Sequence, residues 1–239
     1  MYQLDSRITV SHVGPDGLAT VTDLVSLMQD CSLLWLESEP AMQDYLERDH
    51  VGMMVASRQL DILRRPAYQE RVSVQTSVYD YRHGIGYRNT RIVDEQGETL
   101  AISWSIGAFV SLVEGKITDV PQEVIDALTF DPKLDMEYLR NRIRLPKVEP
   151  VDAPAFTAMR DDIDFYQHVN NTVYVRMACE LLPEDFEPRR LRIEYKLQTK
   201  LGEQLAPKLY DARGLEDEDR FVVSLEKDGK PACVVEFSR

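Results

Sequence analysis

Cysteine is scarce in this 239-residue chain: Cys31, Cys179 and Cys233 are odd in number, far apart, and without a histidine at metal-ligand spacing. That argues against a disulfide framework and a structural zinc site, and it points to a reducing compartment such as the cytoplasm. Long uncharged runs are also missing. The stretch from Leu100 to Val113 falls well short of the roughly 20 apolar residues that span a bilayer, and it carries three serines, so it reads as one or two buried strands. Basic residues are outnumbered, 28 Lys and Arg against 41 Asp and Glu. The net charge of −13 argues against a nucleic-acid binder. The first ten residues hold Asp5 and Arg7 and no basic-then-apolar leader, so no secretory signal is expected. What is present, 44% hydrophobic and 29% charged residues, suffices for a real core. The length fits one large domain or two small ones.

Self-similarity favours two. Glu95-Gln96-Gly97, followed by Leu100, Ala101 and Ile102, matches Lys227-Asp228-Gly229, followed by Ala232, Cys233 and Val234, a shift of 132 residues. Arg88 and Arg220 fall at the same shift, as do Asp94 and Glu226. Upstream, Leu60, Asp61, Ile62, Glu70 and Val72 match Ile193, Glu194, Tyr195, Glu203 and Leu205 at a shift of 133. Matches that keep their order over such a distance describe two copies of one unit.

Periodicity shows what the unit holds. Val21, Leu24, Met28, Cys31 and Trp35 form an apolar stripe on one helix, and Thr20 with Asp23 resembles a capping box at its start. Val72, Val74, Thr76 and Val78 alternate as a half-buried strand, and Asp94 to Gly97 is a turn. In the second copy, Val173, Met177 and Leu181 mark a helix beginning near Thr172, and Leu191, Ile193, Tyr195 and Leu197 alternate with charged residues. One helix followed by antiparallel strands is an α+β pattern with the helix lying on a sheet. Pro121, Pro132, Pro146, Pro150 and Pro154 crowd the region between the copies, which reads as a connection over the surface.

The densest set of functional side chains is Asp162-Ile163-Asp164-Phe165-Tyr166-Gln167-His168-Val169-Asn170-Asn171, ahead of the second helix. A loop feeding a helix N-terminus offers unpaired backbone N–H groups and a positive dipole end to a developing oxyanion. A carboxylate there can activate water and an imidazole can move a proton, which suits hydrolysis of an activated acyl group. The same residues also read structurally, with an asparagine as N-cap, the aspartates solvated and the histidine packed.

Asp164-x-x-x-His168-Val169-Asn170-Asn171, with Tyr174 and Glu180 after it, resembles the signature of the acyl-acyl-carrier-protein thioesterases of plants and bacteria, within the hotdog-fold thioesterases. The resemblance covers nearly the whole chain: Leu60 to Val78, Tyr87 to Leu112 and Val120-Pro121 are similar to the family's first unit, and Arg160 to Tyr195 to its second. It implies a pseudo-dimeric double hotdog fold, each unit a long helix wrapped by an antiparallel sheet: unit 1–127 with the acyl pocket, a Pro-rich linker 128–152, and unit 153–239 with the catalytic loop. The implied activity is hydrolysis of fatty acyl carrier protein to free fatty acid and carrier protein in fatty acid biosynthesis, without cofactor or metal. Asp164 and His168 match the family's catalytic pair. The family's Asn between them is Tyr166 here. After Glu194-Tyr195-Lys196, where the family has Glu and often Cys, stand Gln198 and Thr199, and glutamine cannot act as a base. If the strand through Leu191 stays regular, Gln198 shares the face of Arg192 and Lys196, and Thr199 that of Leu191, unless a bulge intervenes. Backbone N–H groups of Asn170, Asn171 and Thr172 would hold the oxyanion. Met28, Trp35, Met53 and Met54 are pocket candidates that read equally as core. Only the second copy carries the pair, since Pro15-Asp16-Gly17-Leu18 stands where Gln167-His168-Val169-Asn170 stands later.

An acyl-coenzyme A thioesterase and a non-catalytic acyl-binding protein remain open, the latter because of Tyr166 and Gln198. His83-Gly84-Ile85-Gly86 reads as a turn or bulge and not a nucleotide loop. An acidic carrier protein would need a basic patch, and Arg140, Arg142, Arg144 and Lys147 form one, Arg189, Arg190, Arg192, Lys196 and Lys200 another. A homodimer is also left open.

Overall fold

In the computed structural model, which describes residues 1–215 and 219–239, Thr20 opens the first helix as its sequence suggests. Its hydroxyl accepts the Asp23 N–H at 3.1 Å, and α1 then runs Val21–Glu37. The buried face is Leu24, Val25, Leu27, Met28, Cys31, Ser32 and Trp35, wider than the stripe alone. Val21 is only half-buried. Leu24 and Met28 are fully buried, each contributing on the order of 2 kcal/mol relative to exposure.

The chain divides into two units, Met1–Tyr138 and Leu139–Arg239, so the division falls inside the Pro-rich stretch. In the first, α1 and α2 (Pro40–Arg48) accompany strands β1 (Tyr2–Arg7), β2 (Val51–Ile62), β3 (Arg71–Arg82), β4 (Ile85–Asp94) and β5 (Thr99–Ser111), with the short α3 at Gln122–Asp126. The strand order is β1-β3-β4-β5-β2, antiparallel throughout. Val72, Val74, Thr76 and Val78 are buried, as alternation predicts, and Leu100 to Val113 belongs largely to the single strand β5. The Gly-x-Gly segment is the β3–β4 turn: His83 and Gly84 have φ of 47° and 74°, the pair of positive values that a two-residue hairpin requires.

The second unit holds β6 (Val151–Asp152), β7 (Phe156–Thr157), α4 (Asn171–Cys179), β8 (Arg190–Tyr195), β9 (Gln204–Asp211), β10 (Arg220–Lys227) and β11 (Lys230–Ser238). Its order is β8-β11-β10-β9-β6, with β7 also on β9. The buried face of α4 is Tyr174, Val175, Met177 and Ala178. Val173 is half-buried and Leu181 lies beyond the helix. Capping at Asn170 starts the helix a residue earlier than expected, and Pro183 keeps Leu182 out of helical geometry.

Strand pairing corrects one register of the repeat. Arg88 pairs with Ser105, which pairs with Arg58, so the three form one row across β4, β5 and β2. The corresponding row in the second unit is Phe221, Phe237 and Leu191 across β10, β11 and β8. Arg88 therefore answers to Phe221 and not to Arg220. Both units have an irregularity before the turn, between Ile92 and Val93 and between Leu225 and Glu226, so the one-residue difference lies in the turn itself, where residues 94–98 stand against residues 227–230.

The Pro-rich stretch does more than connect. In the first unit the Asp131 N–H donates to the Val78 carbonyl at 3.1 Å and the Leu134 N–H to Asn89 Oδ1 at 3.1 Å. Gln59 Nε2 donates to the Glu137 carbonyl at 2.8 Å, and Tyr138 sits edge-on to Trp104 at 5.2 Å. In the second unit Ile143 is buried with Tyr210, Val222 and Val234, its N–H donating to the Glu194 carboxylate. Arg192 donates to the carbonyls of Arg140 and Arg142. Each half of the stretch is a strap over the sheet face of its own unit that points away from the helix.

Candidate active site

The loop before α4 is built by its backbone. A short 3-10 turn at Arg160–Asp162 leads into a bridge between Ile163 and Val169. Across it the Asp164 N–H donates to the His168 carbonyl at 2.9 Å, and the Gln167 N–H to the Asp164 carbonyl at 3.0 Å. Gln167 takes φ of 65° to close the turn. The ends are pinned: the Val169 N–H donates to the Thr199 carbonyl at 2.8 Å and the Asn170 N–H to the Asp162 carbonyl at 2.9 Å. Asp164 and His168 thus stand opposite one another at the base of a tight loop, both half-buried. One Asp164 carboxylate oxygen accepts the Tyr166 N–H at 2.9 Å, which fixes the carboxylate and leaves its other oxygen for water.

The remaining expected residues are placed differently. Tyr166 is at the loop tip, 58% exposed, its ring 4.1 Å from that of Phe165. It does not stand between Asp164 and His168 as a third reacting side chain. Gln198 is exposed and Thr199 fully buried. The expected parity survives, although β8 ends at Tyr195 and Leu197 turns outward: the N–H groups of Lys196 and Leu197 both donate to the Ala232 carbonyl, a bulge. Thr199 acts through its backbone carbonyl, under Val169. Asn170 is the N-cap; its Oδ1 accepts the Thr172 N–H at 3.0 Å. Of the three expected oxyanion donors, Asn170 and Thr172 are thereby engaged within the loop, leaving the Asn171 N–H at the first turn of α4. Tyr195 braces that turn, its hydroxyl donating to the Asn171 carbonyl at 3.3 Å.

Asp162 emerges as a positioning residue that spacing does not reveal. It is buried, accepts the Met159 N–H at 2.9 Å, and pairs with Arg176 of α4 at 2.8 Å, tying loop to helix. Burial pushes the Tyr174 phenol and the Cys233 thiol up and the Cys31 thiol to about 11, so neither cysteine supplies a thiolate. Among the described residues, no group of three or more His, Cys, Asp or Glu is placed to hold a metal.

The first unit contains the same loop without the Asp–His pair. Its bridge joins Val13 and Ala19, the Gly14 N–H donates to the Leu18 carbonyl at 3.0 Å, and the Thr20 N–H to the His12 carbonyl at 2.9 Å. These bonds correct the expected alignment by two residues: Gly14 answers to Asp164, Asp16 to Tyr166, and Leu18 to His168. The Ala19 N–H bonds to the Pro66 carbonyl as Val169 bonds to Thr199, so Arg65 answers to Gln198. Asp16 and Arg65 form an ion pair there.

The first unit also holds a cavity under α1, lined by Trp35, Met42, Met53, Val55 and Phe109 among others. Met28 packs in the core and Met54 faces the opposite side of β2 from Met53, so neither lines it. Arg58 and Arg88 do line it.

A helix on a curled antiparallel sheet, present twice with one equipped loop, defines a double hotdog α+β protein. Solved structures share that fold over the chain's length. An acyl-ACP thioesterase from Bacteroides thetaiotaomicron superposes with a TM-score of 0.87 at 21% identity, covering 99% of this chain and 96% of that one. The 12:0-ACP thioesterase from Umbellularia californica gives 0.84 at 18% identity, covering 100% and 96%. The family models for the acyl-ACP thioesterase N-terminal and C-terminal domains match residues 1–128 and 147–233, and the chain belongs to the acyl-ACP thioesterase family. Oleoyl-acyl carrier protein thioesterase 1 of Arabidopsis thaliana, a chloroplastic enzyme, is 25% identical over 191 residues, covering 72% of this chain and 52% of the relative. The chain thus spans about half the length of the curated relatives it matches. Among the described residues no helix is long and apolar enough to cross a membrane.

Proposed function

We propose that this protein hydrolyses acyl carrier protein thioesters, releasing free fatty acid. The observation that carries the reading is the Asp164–His168 pair, half-buried at the base of one tight loop in a chain of this family, where the other unit's equivalent loop has Gly14 and Leu18. Asp164 takes a proton from water as the water oxygen attacks the thioester carbonyl carbon. The developing oxyanion is met by the Asn171 N–H at the positive end of α4. The carbon–sulfur bond then breaks, and His168 hands a proton to the departing thiolate. A thiolate leaves at moderate pKa, so no strong acid is needed. Neither Gln198 nor Tyr166 takes a protonic role. The acyl chain is held in the cavity of the first unit.

An acidic carrier protein docks on the strap at Arg140, Arg142, Arg144 and Lys147. All four are exposed, and none has a carboxylate within ion-pair distance among the described residues. The alternative cluster is less suited, because Arg192 is paired with Glu236 and Lys196 with Glu194. We place the reaction in the cytoplasm, which three scattered cysteines fit. The test is a hydrolysis panel of carrier-protein and coenzyme A thioesters over several chain lengths, with Asp164→Asn and His168→Ala beside the parent. Each variant should lose about 100-fold or more in kcat/KM. Parent rates in both would overturn the assignment, and faster turnover of coenzyme A thioesters would transfer it to that carrier. Charge reversal at Arg142 and Arg144 should raise KM for the carrier-protein substrate only.

A further inference from the structure

Arg58, Ser105 and Arg88 lie side by side on β2, β5 and β4, on the sheet face under α1, and all three line the first unit's cavity. They are 5%, 7% and 8% exposed, inside walls that are otherwise mostly apolar. Arg88 lies flat against the Trp35 ring, its guanidinium carbon 4.0 Å from the ring centre, and Nη1 donates to Thr76 Oγ1 at 3.0 Å. A guanidinium has five N–H donors. The others on Arg88 meet no protein acceptor, and no carboxylate lies within ion-pair distance of it among the described residues. The charge of Glu39 reaches it only at longer range. Burial lowers its pKa to about 9, so it is still a cation at neutral pH.

The fold itself does not ask for this arrangement. The same row in the second unit is Leu191, Phe237 and Phe221, all buried and packed. Where that unit fills the space under its helix with hydrocarbon, this one leaves a cavity and places cations at its wall. A buried cation with unused donors is costly, and a ligand that brings an acceptor relieves the cost. An unsubstituted alkyl chain brings none.

Resting on the thioesterase reading, we propose that the cavity selects acyl chains carrying a hydrogen-bond-accepting oxygen distant from the thioester, a hydroxyl, keto or carboxylate oxygen, with Arg88 as the recognising group and Ser105 beside it. Hydrogen bonds to a charged donor correspond to roughly tenfold to a hundredfold in selectivity. The selectivity falls on chains long enough to reach Arg88, and shorter chains show none.

The experiment pairs two readouts. Carrier-protein thioesters of unsubstituted, terminally hydroxylated, terminal-keto and terminally carboxylated chains, stepped in length, are compared by kcat/KM. Binding of the corresponding pantetheine amides, which resist hydrolysis, is measured by calorimetry. The parent protein should favour an oxygenated chain over its unsubstituted match by at least about tenfold at one or more lengths in both readouts. Arg88→Met should erase or invert that preference at the lengths where the parent shows it, and Ser105→Ala should reduce it. The carboxylate arm exceeding the hydroxyl and keto arms would identify charge pairing; equal arms would identify hydrogen bonding. A parent that prefers unsubstituted chains at every length overturns the proposal even if no variant folds. Oxygen-selective binding without any hydrolysis would sustain it and remove the thioesterase reading. Hydrolysis with no oxygen preference in either readout would do the reverse.

Discussion

The two units carry different side chains on one scaffold. The second has Asp164 and His168 on its loop but a row of Leu191, Phe237 and Phe221 under its helix. The first has Gly14 and Leu18 on the matching loop, and Arg58, Ser105 and Arg88 around a cavity. The loop backbone is shared almost bond for bond, so hydrogen bonding builds the scaffold, while the side chains it carries and the surroundings it faces set the two loops apart. In the first unit's loop the charges are tied to each other, as the Asp16–Arg65 ion pair shows.

The comparison can be broken most directly by moving the pair. With Asp164→Asn in place, Gly14→Asp with Leu18→His should recover no more than about twofold of a loss of about 100-fold or more, measured as carrier-protein thioester hydrolysis. Gly14 has room for a Cβ, its nearest neighbour, Asp16 Oδ1, being 3.4 Å away. Recovery to near the parent rate would mean that the loops are equivalent and their surroundings irrelevant.

Next in size is the row under the helix. Phe221→Ala should cost about 3–5 kcal/mol in urea unfolding, since it opens a void in a filled core. Arg88→Met should cost within about 1 kcal/mol, or stabilise, because a buried cation without a carboxylate partner is exchanged for an apolar chain of similar length. Equal losses would mean that Arg88 is structural.

The hairpin turns give a smaller contrast. Gly84 and Gly229 have φ of 74° and 72°, so alanine costs each about 1–2 kcal/mol. At Gly84 the added carbon would also sit 2.5 Å from Ile117 Cγ2 and 2.6 Å from the Thr118 carbonyl oxygen, whereas nothing lies within 4 Å at Gly229. Gly84→Ala should therefore lower the melting temperature clearly more.

The smallest effect concerns two matched glutamates. Glu70 accepts the Ala67 N–H and Glu203 the Lys200 N–H, each at 2.8 Å. Arg64 holds the Glu70 carboxyl below its ordinary 4.5, and Lys227 does the same for Glu203. A lowered carboxyl lends stability that is present above its ordinary value and lost as pH falls through the lowered one. Melting temperature should fall below about pH 4.5, and Arg64→Ala should flatten that limb more than Lys227→Ala, because Glu203 is the more exposed.

Much of this was legible in the sequence. The stripe from Leu24 to Trp35 and the alternation from Val72 to Val78 carry their periods openly, and the crowding of Asp164, His168 and Asn170 marks the loop. What stayed hidden depends on register. The arginine row exists only once β2, β5 and β4 are aligned, and alignment is set by turns and bulges such as that at Lys196 and Leu197. The one- and two-residue errors in matching the copies have the same origin. Prolines announced a surface path between the units but could not announce that Ile143 is buried under it.

The straps also bear on the order of folding. Gln59 with Glu137, Asn89 with Leu134, and Glu194 with Ile143 join residues 78, 45 and 51 positions apart. Such contacts bring their loop-closure cost before any return, and here they cannot form until the sheet beneath them exists. The straps should close last on each unit and open first. Their amides would then exchange with solvent by a local opening, while β4, β5 and β11 stay protected until the whole unit unfolds.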